Sequence, residues 1–68
     1  MDENEERMLK WFKFDHLPPN LQSTSAGFFD LAREIAATLE KGPERTTALR
    51  KLLEAKDAAV RARLVPGG

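Results

Sequence analysis

The chain has no cysteine and a single histidine among its 68 residues. A disulfide framework is therefore excluded, and a structural zinc site lacks its donors. Charge of one sign is missing too. Eleven Lys and Arg balance eleven Asp and Glu, which argues against a duplex-binding protein that works by neutralising many phosphates. No apolar run approaches the length of a membrane span or a secretory signal, and strand-period alternation is absent throughout. One small all-α domain is left, in the size range where a single core supplies about 3–5 kcal/mol and self-association adds stability. The expectation is a soluble homo-oligomer of a reducing cytoplasm, contacting neither membrane nor DNA.

The most organised segment runs from Gly42 to Leu64. Gly42 suits the capping position, Pro43 the first turn, where its missing N–H has no partner to lose, and Glu44 the positive end of the helix dipole. Pro66, Gly67 and Gly68 prevent continuation. At about 100° per residue, Ala48, Leu52, Ala55, Ala59 and Ala62 form one narrow stripe, and Leu49, Leu53, Val60 and Leu64 a second. Arg45, Lys56 and Arg63 lie between them. Arg50, Glu54, Asp57 and Arg61 make a solvated face with charges at i,i+4 spacing. Two apolar stripes imply two packing partners.

Residues 1–7 are acidic and polar, a flexible N-terminus with nothing to bury; residues 8–65 form the domain, and 66–68 a flexible C-terminus. Met8, Leu9, Trp11 and Phe12 support a short helix beginning around Asn4. From Phe12 to Pro19 the adjoining prolines exclude helix and predict an extended strap carrying Phe14, His16 and Leu17. Pro19 opens a first long helix that runs to about Lys41, with a later start capped by Ser23 or Ser25 as the alternative. Leu21, Phe28, Leu31, Ala32, Ile35 and Leu39 share its core face, and Phe29 and Ala36 sit beside it. The Gly42-Pro43 junction is short enough to make the two long helices antiparallel neighbours. The fold class read from these patterns is an antiparallel helical hairpin with a short N-terminal helix and a strap.

Catalysis needs a nucleophile, acid or base supported by a second group. Adjacent side chains of an extended segment point to opposite faces, so Asp15 and His16 make no ready dyad. The chain therefore reads as a non-enzyme with no catalytic residue, metal or cofactor. A binding site is better represented. Arg45, Thr46 and Thr47 occupy the first turn of the second helix, where unsatisfied N–H groups and the dipole favour an anion. A guanidinium there can clamp phosphate; equally, the threonines can cap and Arg45 can pair with Glu44 or Glu40. Phe14 has the same two readings, as a stacking platform or as core.

The order F-x-F-D-H-L-P-P at Phe12 to Pro19, Gln22, the apolar helix through Phe28 to Leu39, and P-E-R-T-T-A-L-R-K-L-L-E-A-K-D-A-A-V-R-A at Pro43 to Ala62 resemble a phage family. This is the helical-hairpin domain of cyclic-oligonucleotide sponges, proteins that counter the antiphage immunity abbreviated CBASS; a related hairpin serves sponges directed against Thoeris immunity. The resemblance covers roughly residues 11 to 64. It implies a non-catalytic protein in the cytoplasm of the infected bacterial host that sequesters cyclic dinucleotides, and by extension cyclic trinucleotides, between protomers of a homo-oligomer, often a hexamer. By the same resemblance Phe14 falls on the base-stacking aromatic and Arg45 on the phosphate-binding arginine, with Thr46 and Thr47 adding hydroxyl contacts. His16, Lys56 and Arg63 complete the candidate ligand-binding set, the last two as helpers toward a neighbouring protomer. Two departures follow. Phe14 lacks the phenol of the usual tyrosine, and no clear equivalent of the lysine that some relatives carry on the first long helix stands between Leu21 and Leu39.

A symmetric pair of protomers suits such a ligand, because an isologous dimer presents every contact twice. Stacking contributes about 1–3 kcal/mol per base, and a charged phosphate contact about 1.5–3 kcal/mol per hydrogen bond. Doubling both gives about 5–12 kcal/mol, whose upper end meets the roughly 12 kcal/mol of nanomolar binding. The rival functions are a hairpin that serves as a protein-interaction or structural oligomerisation module and, less favoured by neutral charge, a small nucleic-acid-binding regulator.

Overall fold

A computed structural model describes residues 8–67. The expected flexible terminus at 1–7, the beginning of the short helix near Asn4 and Gly68 lie outside the described residues. Two long helices dominate, α1 (Pro19–Thr38) and α2 (Pro43–Leu64), packed against each other as a hairpin. Residues 8–10 are helical and lead into the strap. No strand occurs among the described residues, and no helix among them is long and apolar enough to cross a membrane.

The strap is less extended than its prolines predict. Residues 15–16 form a turn, closed by the Leu17 N–H donating to the Phe14 carbonyl at 3.0 Å. Aspartate favours turns, and Pro18 itself, with φ −57° and ψ 152°, takes the extended form that a following proline imposes. α1 starts at Pro19, not at the serines. Its first N–H donors, Leu21 and Gln22, both reach the Pro18 carbonyl at 2.9 Å, while Ser23 and Thr24 bond back to the Asn20 carbonyl within the helix. The Gln22 amide also holds the strap, donating to the carbonyls of Leu17 at 2.7 Å and Asp15 at 3.3 Å.

α1 ends at Thr38, three residues before the expected Lys41. Leu39 turns extended at φ −98° and ψ 146°, leaving residues 39–42 as the connection. A side chain of α2 caps this end: the Arg45 Nη1 donates to the carbonyls of Ala36 at 3.0 Å and Leu39 at 2.6 Å, satisfying acceptors left open at the α1 terminus. α2 starts as predicted, with Gly42 at the cap, Pro43 in the first turn and Glu44 beside it, and it stops after Leu64 with Arg61 and Arg63 in the last turn.

The core is small. Phe12, Ala32 and Leu49 are fully buried, and Met8, Leu9, Phe28, Phe29, Ile35, Leu52 and Leu53 pack around them. The buried residues of α2 are Arg45, Leu49 and Lys56; Leu49 belongs to the second predicted stripe, and Arg45 and Lys56 to the line between the two. Arginine and lysine suit such a line because their aliphatic stems cover apolar surface while their heads reach polar partners.

The strap covers one side of the hairpin, where Phe14 meets Phe29 and Trp11 adjoins Leu53 and Lys56. Phe28 and Ile35 of α1 and Leu52 of α2 are partly buried against the core. Leu31, expected in the core, is exposed, as are Leu39 and Leu64 near the helix ends.

Candidate ligand-binding surfaces

The strap separates two surfaces, and Lys13 and Asp15 border both. On the α1 side, the rings of Phe14 and Phe29 meet edge to face, with centroids 5.6 Å apart and planes at 73°. Such a pair is held by quadrupole attraction and fixes the orientation of the half-buried Phe14. The Arg33 guanidinium lies 5.8 Å from the Phe29 centroid, a cation–π contact that is also an i,i+4 pair on α1. Lys13, Phe14, Asp15 and Phe29 line a shallow pocket of about 280 Å³. A groove of about 450 Å³ is lined by Leu9, Asp30, Arg33, Glu34 and Ala37.

On the α2 side, Lys10, Trp11, Lys13, Asp15, His16, Leu53, Lys56 and Asp57 enclose a groove of about 410 Å³. Trp11 is 62 % exposed, with the Lys10 ammonium 5.9 Å from its ring centroid. His16 is exposed at the rim. Lys56 lies at the floor, only 8 % exposed, and its Nζ donates to the Trp11 carbonyl at 2.8 Å.

The seven residues singled out in the sequence are not gathered in one place within a single chain. Phe14 docks on Phe29, whereas Arg45 reaches Ala36 and Leu39, about 10 Å further along α1 at 1.5 Å per residue. Arg63 sits toward the opposite end, its Nε donating to the Thr24 hydroxyl at 2.9 Å. His16 and Lys56 share one groove.

Arg45 corrects the picture of an open fork at the helix start. It is buried, and one of its terminal nitrogens is engaged by two carbonyls of the preceding helix end. Lys56 likewise points at the strap of its own chain and not outward toward a neighbour. Thr47 donates to the Pro43 carbonyl at 2.8 Å within α2, and Thr46 is exposed in the first turn.

Sequence reasoning passed over Phe29, Arg33 and the cluster of Lys10, Trp11 and Lys13. The Phe29 and Arg33 spacing of four was legible. What it could not give was the fold of the strap that brings Phe14 onto that same face. Arg33 also places a cation on α1 beside the aromatic pair, where none was identified from the sequence.

Among the described residues no cluster of His, Asp and Glu could hold a metal ion. No family model, curated protein or solved structure matches the chain.

Proposed function

We propose that the chain is a phage immune-evasion protein that binds cyclic dinucleotides, and by extension cyclic trinucleotides, without cleaving them, and so lowers the free messenger that drives CBASS signalling. The observation that carries this reading is Phe14. It is held edge to face on Phe29, whose ring also meets the Arg33 guanidinium, and Lys13 lines the same shallow pocket. A nucleobase needs an oriented ring on which to stack, and its phosphate needs a guanidinium or ammonium within one nucleotide's reach. The phage resemblance of the strap and of the Pro43 to Ala62 helix supports the same ligand class.

A single hairpin presents one such ring. Two hairpins related by a two-fold axis present one ring to each base of a cyclic dinucleotide. The exposed Leu31, flanked on α1 by the half-buried Phe28 and Ile35, offers the surface on which copies would pair, and the resemblance implies a hexamer. Arg45 then acts first on the hairpin itself, shaping the turn from which Thr46 is displayed.

That uncovered face also favours a second reading, a hairpin that is an interaction or structural oligomerisation module without a nucleotide ligand. Isothermal titration calorimetry with cyclic dinucleotides and trinucleotides separates the two. Heat of binding by the parent, its loss in Phe14→Ala and Arg33→Ala, and recovery of intact ligand after denaturation support the sponge. A folded oligomer that gives no heat with any of these ligands leaves only the interaction module.

A further inference from the structure

We propose that the groove on the α2 side of the strap is a second, separate site, and that it takes a nucleoside monophosphate, a base carrying one phosphate. Lys56 is more than nine-tenths buried, yet among the described residues its ammonium makes one hydrogen bond, to the Trp11 carbonyl. An ammonium has three donors. A buried charge is costly unless paired, and a neutral carbonyl is a partial answer. An anion entering the groove would complete it.

The rim defines what else the anion must carry. Trp11 exposes most of its surface, and a large exposed ring beside cations is a platform on which a base stacks. Lys10 and Lys13 stand on the strap side of the same groove. Asp15 and Asp57 also line it, and these carboxylates accept hydrogen bonds from ribose hydroxyls or an exocyclic amine. Three lysines against two aspartates leave one net positive charge with His16 neutral, which suits a single phosphate and disfavours a triphosphate. The volume of about 410 Å³ lies in the usual range for small-ligand sites.

Trp11 is the only tryptophan, so its fluorescence reports directly on this groove. AMP titrated into the full-length protein is expected to quench it saturably. Adenosine, which stacks without a phosphate, should bind about tenfold more weakly, the equivalent of one charge-assisted hydrogen bond. The double variant Lys10→Gln with Lys13→Gln, confirmed helical by circular dichroism, should lose a similar factor, and Lys56→Met should lose at least as much. Phe14→Ala should leave the AMP response unchanged, which separates this groove from the proposed cyclic-nucleotide surface across the strap. Absence of quenching by AMP, equal quenching by adenosine, an undiminished response in the folded lysine double variant, or loss of the response in Phe14→Ala would each overturn the second site. The first three leave the cyclic-nucleotide reading standing on its own calorimetry.

Discussion

The Lys56 ammonium donates to the Trp11 carbonyl across 45 residues of sequence, at 2.8 Å. It joins the strap to α2 as Gln22 joins it to α1. With Arg45 and Arg63 it forms a row of cations on α2, whose heads reach the end of α1, the strap and the Thr24 hydroxyl respectively. Replacing Lys56 by Met keeps the stem and removes the bond, at an expected cost of about 1–2 kcal/mol. Replacing it by Ala also removes buried methylenes and should cost about 2–3 kcal/mol. Thermal melts give the order: for a domain of this size each kcal/mol lowers Tm by roughly 4–8 °C. A Met variant less stable than the Ala variant would refute the division between stem and head.

Arg45 leads to a second prediction. One nitrogen serves two carbonyls at the end of α1, so Arg45→Ala should destabilise the hairpin by about 2–4 kcal/mol. Arg45→Lys keeps the charge but not the planar head and should recover only part of that loss. The consequence for binding studies is direct. Loss of ligand affinity in Arg45→Ala carries information about phosphate contact only if urea unfolding shows the variant still folded at the assay temperature.

Both long helices were legible in the sequence because proline, glycine and the 3.6-residue period act locally. The α1 terminus was not. Leu39, Glu40 and Lys41 continue the apolar pattern or favour helix, and the acceptors at the observed end are met by a side chain from the next element. The same limit hid the roles of Arg45 and Lys56. Their place between the two apolar stripes was visible on the wheel, but charge by itself reads as surface. Only the packed hairpin shows that Arg45 and Lys56 are buried, and that the carbonyls of α1 and the strap are within reach. Phe14 was identified as an aromatic of the strap, whereas its partner Phe29 depended on the turn at 15–16.

Ser25 is fully buried on α1, and its hydroxyl has no hydrogen-bond partner among the described residues. An unsatisfied buried hydroxyl is a net cost, and alanine is the better helix former. Ser25→Ala should therefore stabilise the protein by about 0.5–1 kcal/mol, read as a raised urea midpoint with an unchanged m-value. A lowered midpoint would show that the hydroxyl is satisfied in solution.

The uncovered face is where the proposed assembly meets its simplest test. Leu31 is 44 % exposed and flanked on α1 by the half-buried Phe28 and Ile35. An unpaired apolar face of this kind on a small domain is stabilised by burial against a copy of itself. Leu31→Glu would place a charge on every copy of such an interface, where like charges oppose association, while altering little inside the hairpin because the side chain already points outward. Sedimentation velocity should show an oligomer for the parent and a folded monomer for Leu31→Glu. Lys51→Glu, on the exposed face of α2 that carries the Lys51–Glu54 pair, should leave the oligomer intact. A parent that sediments as a monomer at every concentration would remove the two-fold ligand site together with the assembly that builds it.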